Sequence, residues 1–495
     1  MSSVVLPIIA AVLLSLSLSS FNLWQLAWFG FIPLFIALEN KSLGCSFIIA
    51  YLCGIIFWSF TVYWLVHVTL LGTIILILYL AVYFGLFGLS VTFIRRLSDN
   101  GIIFTPCFWV LLEYIRSYLF TGFPWAQVGF SQYKNLPAIQ IADITGVWGV
   151  SFLVVLVNVV LYSIIRRRLK LRVYLICAAI VLLSFIYGFY RLGYNSNLQK
   201  ASRTIKISVI GGNIPQDLKW DRQAVGFIQN RHEELTVTAA GDSPDLIIWP
   251  EASVPALWPE DEAEFGKVFS LARRQNINLL AGAVCRYGGN YYNSALFIDK
   301  SGTLKEIYNK LHLVPFGEFV PLKNIFPFLE TIAPIGDITA GKEYTIFKQP
   351  APFGVLICFE DLFPELSRQF VKQGAKFLVN ITNDAWYKEG SAPYQHFAAS
   401  VFRAIENHVY IARSANTGIS GFIDPFGRIL SVIHGARGKE IFIKGYSSQN
   451  IYLDSTRRTF YNQYGDFFVA LCLLLFACVI IFSLKKKMKI ILRRG

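Results

Sequence analysis

Phe353-Gly354-Val355-Leu356-Ile357-Cys358-Phe359-Glu360 reads as a short apolar strand that runs directly into a cysteine and then a carboxylate. Two related stretches precede it: Asp245-Leu246-Ile247-Ile248-Trp249-Pro250-Glu251, a buried strand closed by proline, and Tyr308-Asn309-Lys310 inside IYNKLHLVP (307–315). In folds that alternate strands with helices, the carboxyl ends of strands border the ligand crevice. Glu251 and Cys358 each follow such an end and Lys310 follows a strand-like run, so the three side chains are expected in one cleft. A carboxylate, an ammonium and a thiol are the parts needed to attack a carbonyl through a thioester. Singly, each has a plainer reading: a packed cysteine, a turn carboxylate, a solvated lysine. Their conjunction gives the three motifs their weight.

Around these motifs, residues 191–466 alternate strand-like and helix-like segments. Thr204–Ile210, Asp245–Trp249, Asn293–Asp299, Phe353–Cys358, Lys376–Asn380 and Gly421–Asp424 read as strands, and Glu260–Gln275 and Gln395–Asn407 as helices. That order argues for one α/β layered domain. Of the 8 cysteines only Cys285 and Cys358 fall within it. They could pair in an oxidising compartment, but two cysteines make no disulfide framework, and Cys358 reads as a thiol kept for chemistry. His232-Glu233-Glu234 lacks the second histidine of a zinc-protease motif and reads as a solvated helix face. No metal-ligand spacing is visible, and no cofactor is expected.

The flanks are of a different kind. Hydrophobic residues make up 55% of the chain and charged residues 15%, against ~25% charged in an average soluble chain. Eight apolar runs are long enough, or nearly so, for membrane helices: about Val4–Ser20, Phe21–Leu38, Cys45–Val66, Leu70–Ile94, Ile102–Phe120, Val147–Ile165, Val173–Tyr190 and Phe467–Leu484. Gly54, Gly85 and Gly88 within them suit close helix packing. Glu113 and Arg116, three apart in the fifth run, are expected either to contact a headgroup or to form a structural ion pair. The net charge of +14 does not indicate nucleic acid, because the basic residues cluster just past the apolar runs. With the N-terminus cytoplasmic, the short connections on that side hold 14 Lys and Arg and those on the other side only Lys134. The positive-inside rule then places both termini in the cytoplasm and 191–466 outside. The expected domains are 1–190 (seven helices), 191–466 (catalytic) and 467–495 (the eighth helix and a basic tail).

With their motifs, Glu251, Lys310 and Cys358 resemble the Glu-Lys-Cys triad of the nitrilase, or carbon–nitrogen hydrolase, superfamily, whose domain is an α-β-β-α sandwich. The whole chain, through GGNIPQDLKW (211–220), PFGEFVP (315–321), TNDAWY (382–387), QHFAASVFRAIENHVYIARSANTGISGFIDPFG (395–427) and FPWAQVGFSQY (123–133), resembles the bacterial apolipoprotein N-acyltransferase family. The resemblance implies a multi-pass inner-membrane protein with a periplasmic nitrilase-like domain, acting as a monomer without metal or cofactor. Its donor would be a phospholipid and its acceptor the α-amine of diacylglyceryl-cysteine in an apolipoprotein.

A thiol of ordinary pKa ~8.5 needs a base or cation to attack at neutral pH. Glu251 would take its proton, while Lys310 and the Phe359 N–H would oppose charge on the carbonyl oxygen. The resemblance further implies roles for Glu318 and Glu360 near the site and for Trp220 near its entrance. Phe359 replaces a tyrosine of some members, which removes any hydroxyl role there. Two other classes stay open: a membrane-tethered amidase in which water resolves the thioester, and a transporter or sensor whose outer domain only binds ligand. The Pro- and aromatic-rich Phe316–Gly341 reads as a loop dipping into the bilayer surface or as an ordinary connection.

Overall fold

A long apolar run away from water satisfies its backbone only as helix, and the computed structural model is helical through most of the flanking runs. It describes residues 2–97, 101–166, 169–193, 203–219, 221–319, 338–453 and 458–492. Two units are distinct: one of Met1–Val66, Leu70–Tyr194 and Tyr464–Gly495, the other of His67–Thr69 and Asn195–Gln463.

In the first unit, among the described residues, four helices are long and apolar enough to cross a membrane: Leu43–Thr61, Leu70–Leu97, Val147–Ile165 and Leu171–Gly193. The other four runs expected from sequence form shorter helices, three of them apolar. Three are Val4–Ser17, Trp24–Ala37 and the apolar part Phe467–Ile481 of the helix Phe467–Leu492; the fourth is Thr105–Tyr118. The second run is not one helix. It breaks between a 3-10 segment, Trp24–Trp28, and a helix, Ile32–Ala37. Side chains from elsewhere in the unit bond the freed backbone. Asn158 Nδ2 donates to Ala27 O, Phe31 N donates to Asn158 Oδ1 (both 2.8 Å), and Gln132 Nε2 donates to Trp24 O at 2.9 Å.

Glu113 and Arg116 are both 3% exposed. They brace the turn that follows their helix. Arg116 donates to the carbonyls of Phe123 and Trp125 at 2.6 and 2.7 Å. Glu113 Oε1 accepts from Val128 N at 2.7 Å and Trp109 Nε1 at 2.9 Å. Gly88 serves the packing expected of it, since a Cβ there would lie 2.4 Å from Ala50 Cβ.

The second unit is built on twelve strands among the described residues. In chain order these are β1 (Arg203–Gly211), β2 (Leu246–Ile248), β3 (Leu257–Trp258), β4 (Leu279–Tyr287), β5 (Asn290–Ile298), β6 (Leu304–Asn309), β7 (Phe353–Ile357), β8 (Phe377–Thr382), β9 (Tyr410–Ala415), β10 (Gly421–Ile423), β11 (Ile429–Val432) and β12 (Gly445–Leu453). One sheet runs β12-β1-β2-β4-β5-β6 with β3 alongside β4, and the other runs β11-β10-β9-β8-β7. Strands β7, β8 and β9 are parallel and buried throughout, β7 at the end of its sheet, and buried parallel strands read as largely apolar runs.

The two sheets face one another: Ser414 Oγ on β9 donates to Ile210 O on β1 and Ile248 O on β2 at 2.8 and 3.1 Å. The helices Val225–Ala240 and Glu262–Gln275 bury Leu235, Ala239, Phe265, Val268 and Leu271 against the first sheet. Each fully buried Leu, Val or Phe side chain contributes about 1.5–3 kcal/mol. Pro364–Lys372 and Ala392–Asn407 cover the second sheet, completing an α-β-β-α sandwich. One expectation needs correction. His232 is 1% exposed rather than on a solvated face. Its ring packs 4.9 Å from that of Trp249 because that position of the helix turns inward.

Candidate active site

Cys358 takes the first position after β7, where the chain turns into the 3-10 segment Cys358–Leu362. Its φ is +53°, a left-handed conformation that costs a non-glycine residue about 1–3 kcal/mol and clusters at functional sites. Glu251 lies on the turn after β2, and its neighbour Ala252 also has positive φ. That turn folds back over β4 at Gly282. Ser253 N donates to Gly282 O at 2.8 Å, and a Cβ on Gly282 would meet Pro250 O at 2.4 Å. Lys310 directly follows β6, its main-chain N–H donating 2.8 Å to Asn293 O on β5.

The three side chains are buried: Glu251 and Cys358 are 7% exposed and Lys310 1%. Lys310 Nζ lies 3.8 Å from Glu251 Oε1 and 2.9 Å from both Glu318 oxygens. Asn293 Nδ2 donates to Glu251 Oε1 at 2.7 Å and to Glu318 Oε1 at 2.9 Å. Burial would discharge Lys310, but Glu318, Glu251 and Cys358 outweigh it and hold the ammonium above the ordinary lysine range. Burial pushes the Cys358 thiol up, with Glu251 and Asp384 adding to the rise and Lys310 opposing it. The resting group is therefore a thiol, with a carboxylate and an ammonium near enough to couple to its ionisation.

Glu360 is fully buried and works through the main chain. It accepts from Ile357 N and Leu311 N at 2.7 Å, His312 N at 3.1 Å and Tyr308 Oη at 2.8 Å. It thus ties the turn bearing Cys358 to the segment bearing Lys310. Burial brings its carboxyl up to about 7 against the lowering pull of those donors. Glu318 joins Lys310 to the following loop, accepting from Val314 N at 2.8 Å. Phe359 is buried. Trp220, Val320 and Pro321, with most of the expected loop 316–341, lie outside the described residues.

Sequence reading missed what lies beneath Cys358. His396 Nε2 is 3.2 Å from Cys358 O and 2.9 Å from Asp361 Oδ1, and its Nδ1 is 2.9 Å from Asp384 Oδ1. Arg413 Nη1 bonds Asp361 Oδ2 at 2.8 Å and Asn380 Oδ1 at 2.6 Å. All five side chains are 0% exposed. A neutral imidazole has one N–H, so carboxylates at both nitrogens fit an imidazolium. Burial opposes that charge, but Asp361 and Asp384 carry His396 up to about 9 despite Arg413. Two anions and two cations thus form a neutral layer under Cys358. The available signal was polar residues (Asn380, Arg413) at paired positions of otherwise apolar strands. Lys219, also missed, donates from Nζ to Glu251 O at 2.8 Å. Cys285 and Cys358 are both free thiols, and Cys285 packs in the core of the first sheet.

A sandwich of this topology with Glu, Lys and Cys at one buried site is the pattern of a carbon–nitrogen hydrolase domain, and the family model of that description matches residues 198–452. A second model, the apolipoprotein N-acyltransferase N-terminal domain, matches residues 10–160. The apolipoprotein N-acyltransferase of Geobacter metallireducens is 36% identical, over 97% of this chain and 95% of that protein. Proteins of the same name from Rickettsia prowazekii and Chlorobaculum tepidum are 32% and 29% identical, over 78% and 86% of this chain and 80% and 87% of theirs. The chain belongs to the apolipoprotein N-acyltransferase family.

Proposed function

We propose that the protein transfers an acyl chain from a membrane phospholipid to the N-terminal α-amine of a diacylglyceryl-cysteine lipoprotein, through a thioester on Cys358. The observation that carries this reading is the buried grouping of Cys358 with Glu251 and Lys310 in a chain that also holds long apolar helices. In the first half-reaction the Cys358 proton passes to Glu251 and the sulfur attacks the ester carbonyl. Lys310 and the Phe359 N–H oppose charge on the carbonyl oxygen. The C–O bond breaks, and the lysophospholipid leaves with the proton held by Glu251. In the second, the neutral amine attacks the thioester, Glu251 takes its proton, and the C–S bond breaks to regenerate the thiol. Glu318 and Glu360 hold Lys310 and the nucleophile's turn in place, and Trp220 serves the entrance.

The same reading has eight membrane spans, both termini cytoplasmic and residues 191–466 in the periplasm, with 1–190 and 467–495 as the membrane part. It puts the thiol on the side where exported lipoproteins arrive. The test is to incubate purified protein with phospholipid alone and weigh the intact chain. An acyl-sized mass increase that maps to the Cys358 peptide, and is discharged onto a diacylated lipopeptide as an amide, is expected. Free fatty acid as the main product, with no acylated peptide, would replace this reading with that of a tethered amidase.

A further inference from the structure

Lys219 reaches the site from the GGNIPQDLKW loop, outside all three motifs, where it caps the 3-10 turn Gln216–Leu218. It is 3% exposed. Lysines are almost never so buried unless paired, yet its contact is the neutral main-chain carbonyl of Glu251, at 2.8 Å. Among the described residues no carboxylate forms an ion pair with it.

The charges around Cys358 account for its presence. Glu251 and Glu318 bring two negative charges and Lys310 one positive, and Lys310 is engaged by both carboxylates. Without a second cation the site would carry an excess negative charge before the thiol lost its proton, and a like charge disfavours a thiolate. The groups facing the thiol are Glu251, Lys310, Lys219, Asp384 and Tyr387, with His396 at its carbonyl. Those facing Lys219 are Glu251, Cys358 and His232. His232 gives its Nδ1 proton to Ile228 O at 2.9 Å, and burial brings the ring down to about 4, so it adds no third positive charge. Burial lowers Lys219 to about 8 against the pull of Glu251 and Cys358, which leaves it mostly charged at neutral pH.

We propose that Lys219 is the counter-cation of this site: its ammonium balances the second carboxylate, so that the Cys358 proton can leave for Glu251, while its hydrogen bond fixes the Glu251 main chain. It is a positioning residue, acting through Glu251 and the thiol, and the proposal rests on the acyl-enzyme reading above.

Alkylation by iodoacetamide, in which the thiolate displaces iodide, reads thiol ionisation without any lipid. The experiment follows carbamidomethylation of Cys358 by peptide mass from pH 6 to 10 in the full-length detergent-solubilised protein, with folding checked by circular dichroism. Lys219→Gln keeps a donor for the Glu251 carbonyl but drops the charge, and Lys219→Arg keeps the charge. Lys219→Gln is expected to slow alkylation at pH 7 about tenfold or more, with the gap narrowing above about pH 8 as the wild-type Lys219 loses its own proton. Lys219→Arg should stay near wild type. Acyl-adduct formation from phospholipid should follow the same order. A Lys219→Gln profile that superimposes on wild type overturns the proposal. So does a folded Lys219→Arg as unreactive as Lys219→Gln. An unfolded Lys219→Gln beside a reactive Lys219→Arg supports the requirement for charge. A wild type that alkylates as expected but takes no acyl group from phospholipid would sink the proposed function and leave the charge assignment standing.

Discussion

Cys358 carries its thiol on a turn with φ of +53°, held from below by His396 and Asn380 on its carbonyl and from the side by Glu360 on Ile357 N. The other cysteine of its unit, Cys285, lies on β4 in an apolar core. Cys358→Ala is therefore expected to abolish both acyl-adduct formation and transfer, and Cys285→Ala to leave both nearly intact. Cys358→Ser should be almost inactive, since a hydroxyl is far harder to ionise. Mass analysis after incubation with phospholipid separates these outcomes, and transfer by Cys358→Ala would remove the residue from its role. His396 has its own pH signature. Its proton is held to about 9 in the fold against 6.5 when free, so its contribution to stability is complete below the free value and is lost as pH rises through the folded one. His396→Asn leaves a buried carboxylate poorly paired, a loss of about 3–5 kcal/mol. The gap in unfolding midpoint between variant and wild type should be widest near pH 6 and narrow toward pH 10. A gap that stays constant would mean that the ring is neutral.

Elements set the distances between these residues, and Gly282 on β4 is where that setting is tightest. The turn after β2 crosses β4 so closely that a Cβ on Gly282 would lie 2.7 Å from Glu251 Cα. Gly282→Ala must push Glu251 outward while leaving the thiol and Lys310 on their own strands. A misplacement of about 1 Å can cost 10²-fold in rate, so acylation of Cys358 should fall by about that factor, and because the clash is with main-chain atoms the melting point should fall as well. Wild-type acylation in this variant would show that Glu251's position is not what limits the first step. Strand ends were the legible part of the site, because an apolar run closed by Pro-Glu or Cys-Phe-Glu is visible in one dimension. β4 (LLAGAVCRY) was not, as glycine and alanine dilute its strand signal, although those small residues are what let the turn approach. Nor was Lys219, one lysine among the basic residues of the chain until the loop folds over Glu251. The layer of Asp361, Asp384, His396 and Arg413 is drawn from four segments joined only by sheet register.

At the scale of the whole chain, the proposed topology rests on charge, which bears on the side of a membrane that the thiol faces. The basic residues at the ends of Leu70–Leu97 (Arg95, Arg96), after Val147–Ile165 (Arg166–Arg168) and along the C-terminal tail fall on one side if the chain alternates through eight spans, and Lys134 alone falls in a short loop on the other. A bias of that size sets orientation through the short loops, whereas long domains are carried across largely regardless of their own charge. The proposed topology has the shorter helices Trp24–Ala37 and Thr105–Tyr118 cross as well; the backbone broken in the first is bonded by Asn158 and Gln132, and Glu113 and Arg116 of the second bond the loop Phe123–Val128. Reporter fusions after Arg96 and Arg172 should accordingly read cytoplasmic, and fusions after Gly122 and Arg203 periplasmic. The four fusions bracket the fifth, sixth and seventh runs one by one, and the loss of a single earlier span would invert all four readings. A cytoplasmic signal at Arg203 would put Cys358 on the side away from exported lipoproteins, and the acceptor assigned here would have to be abandoned even if the acyl-enzyme formed.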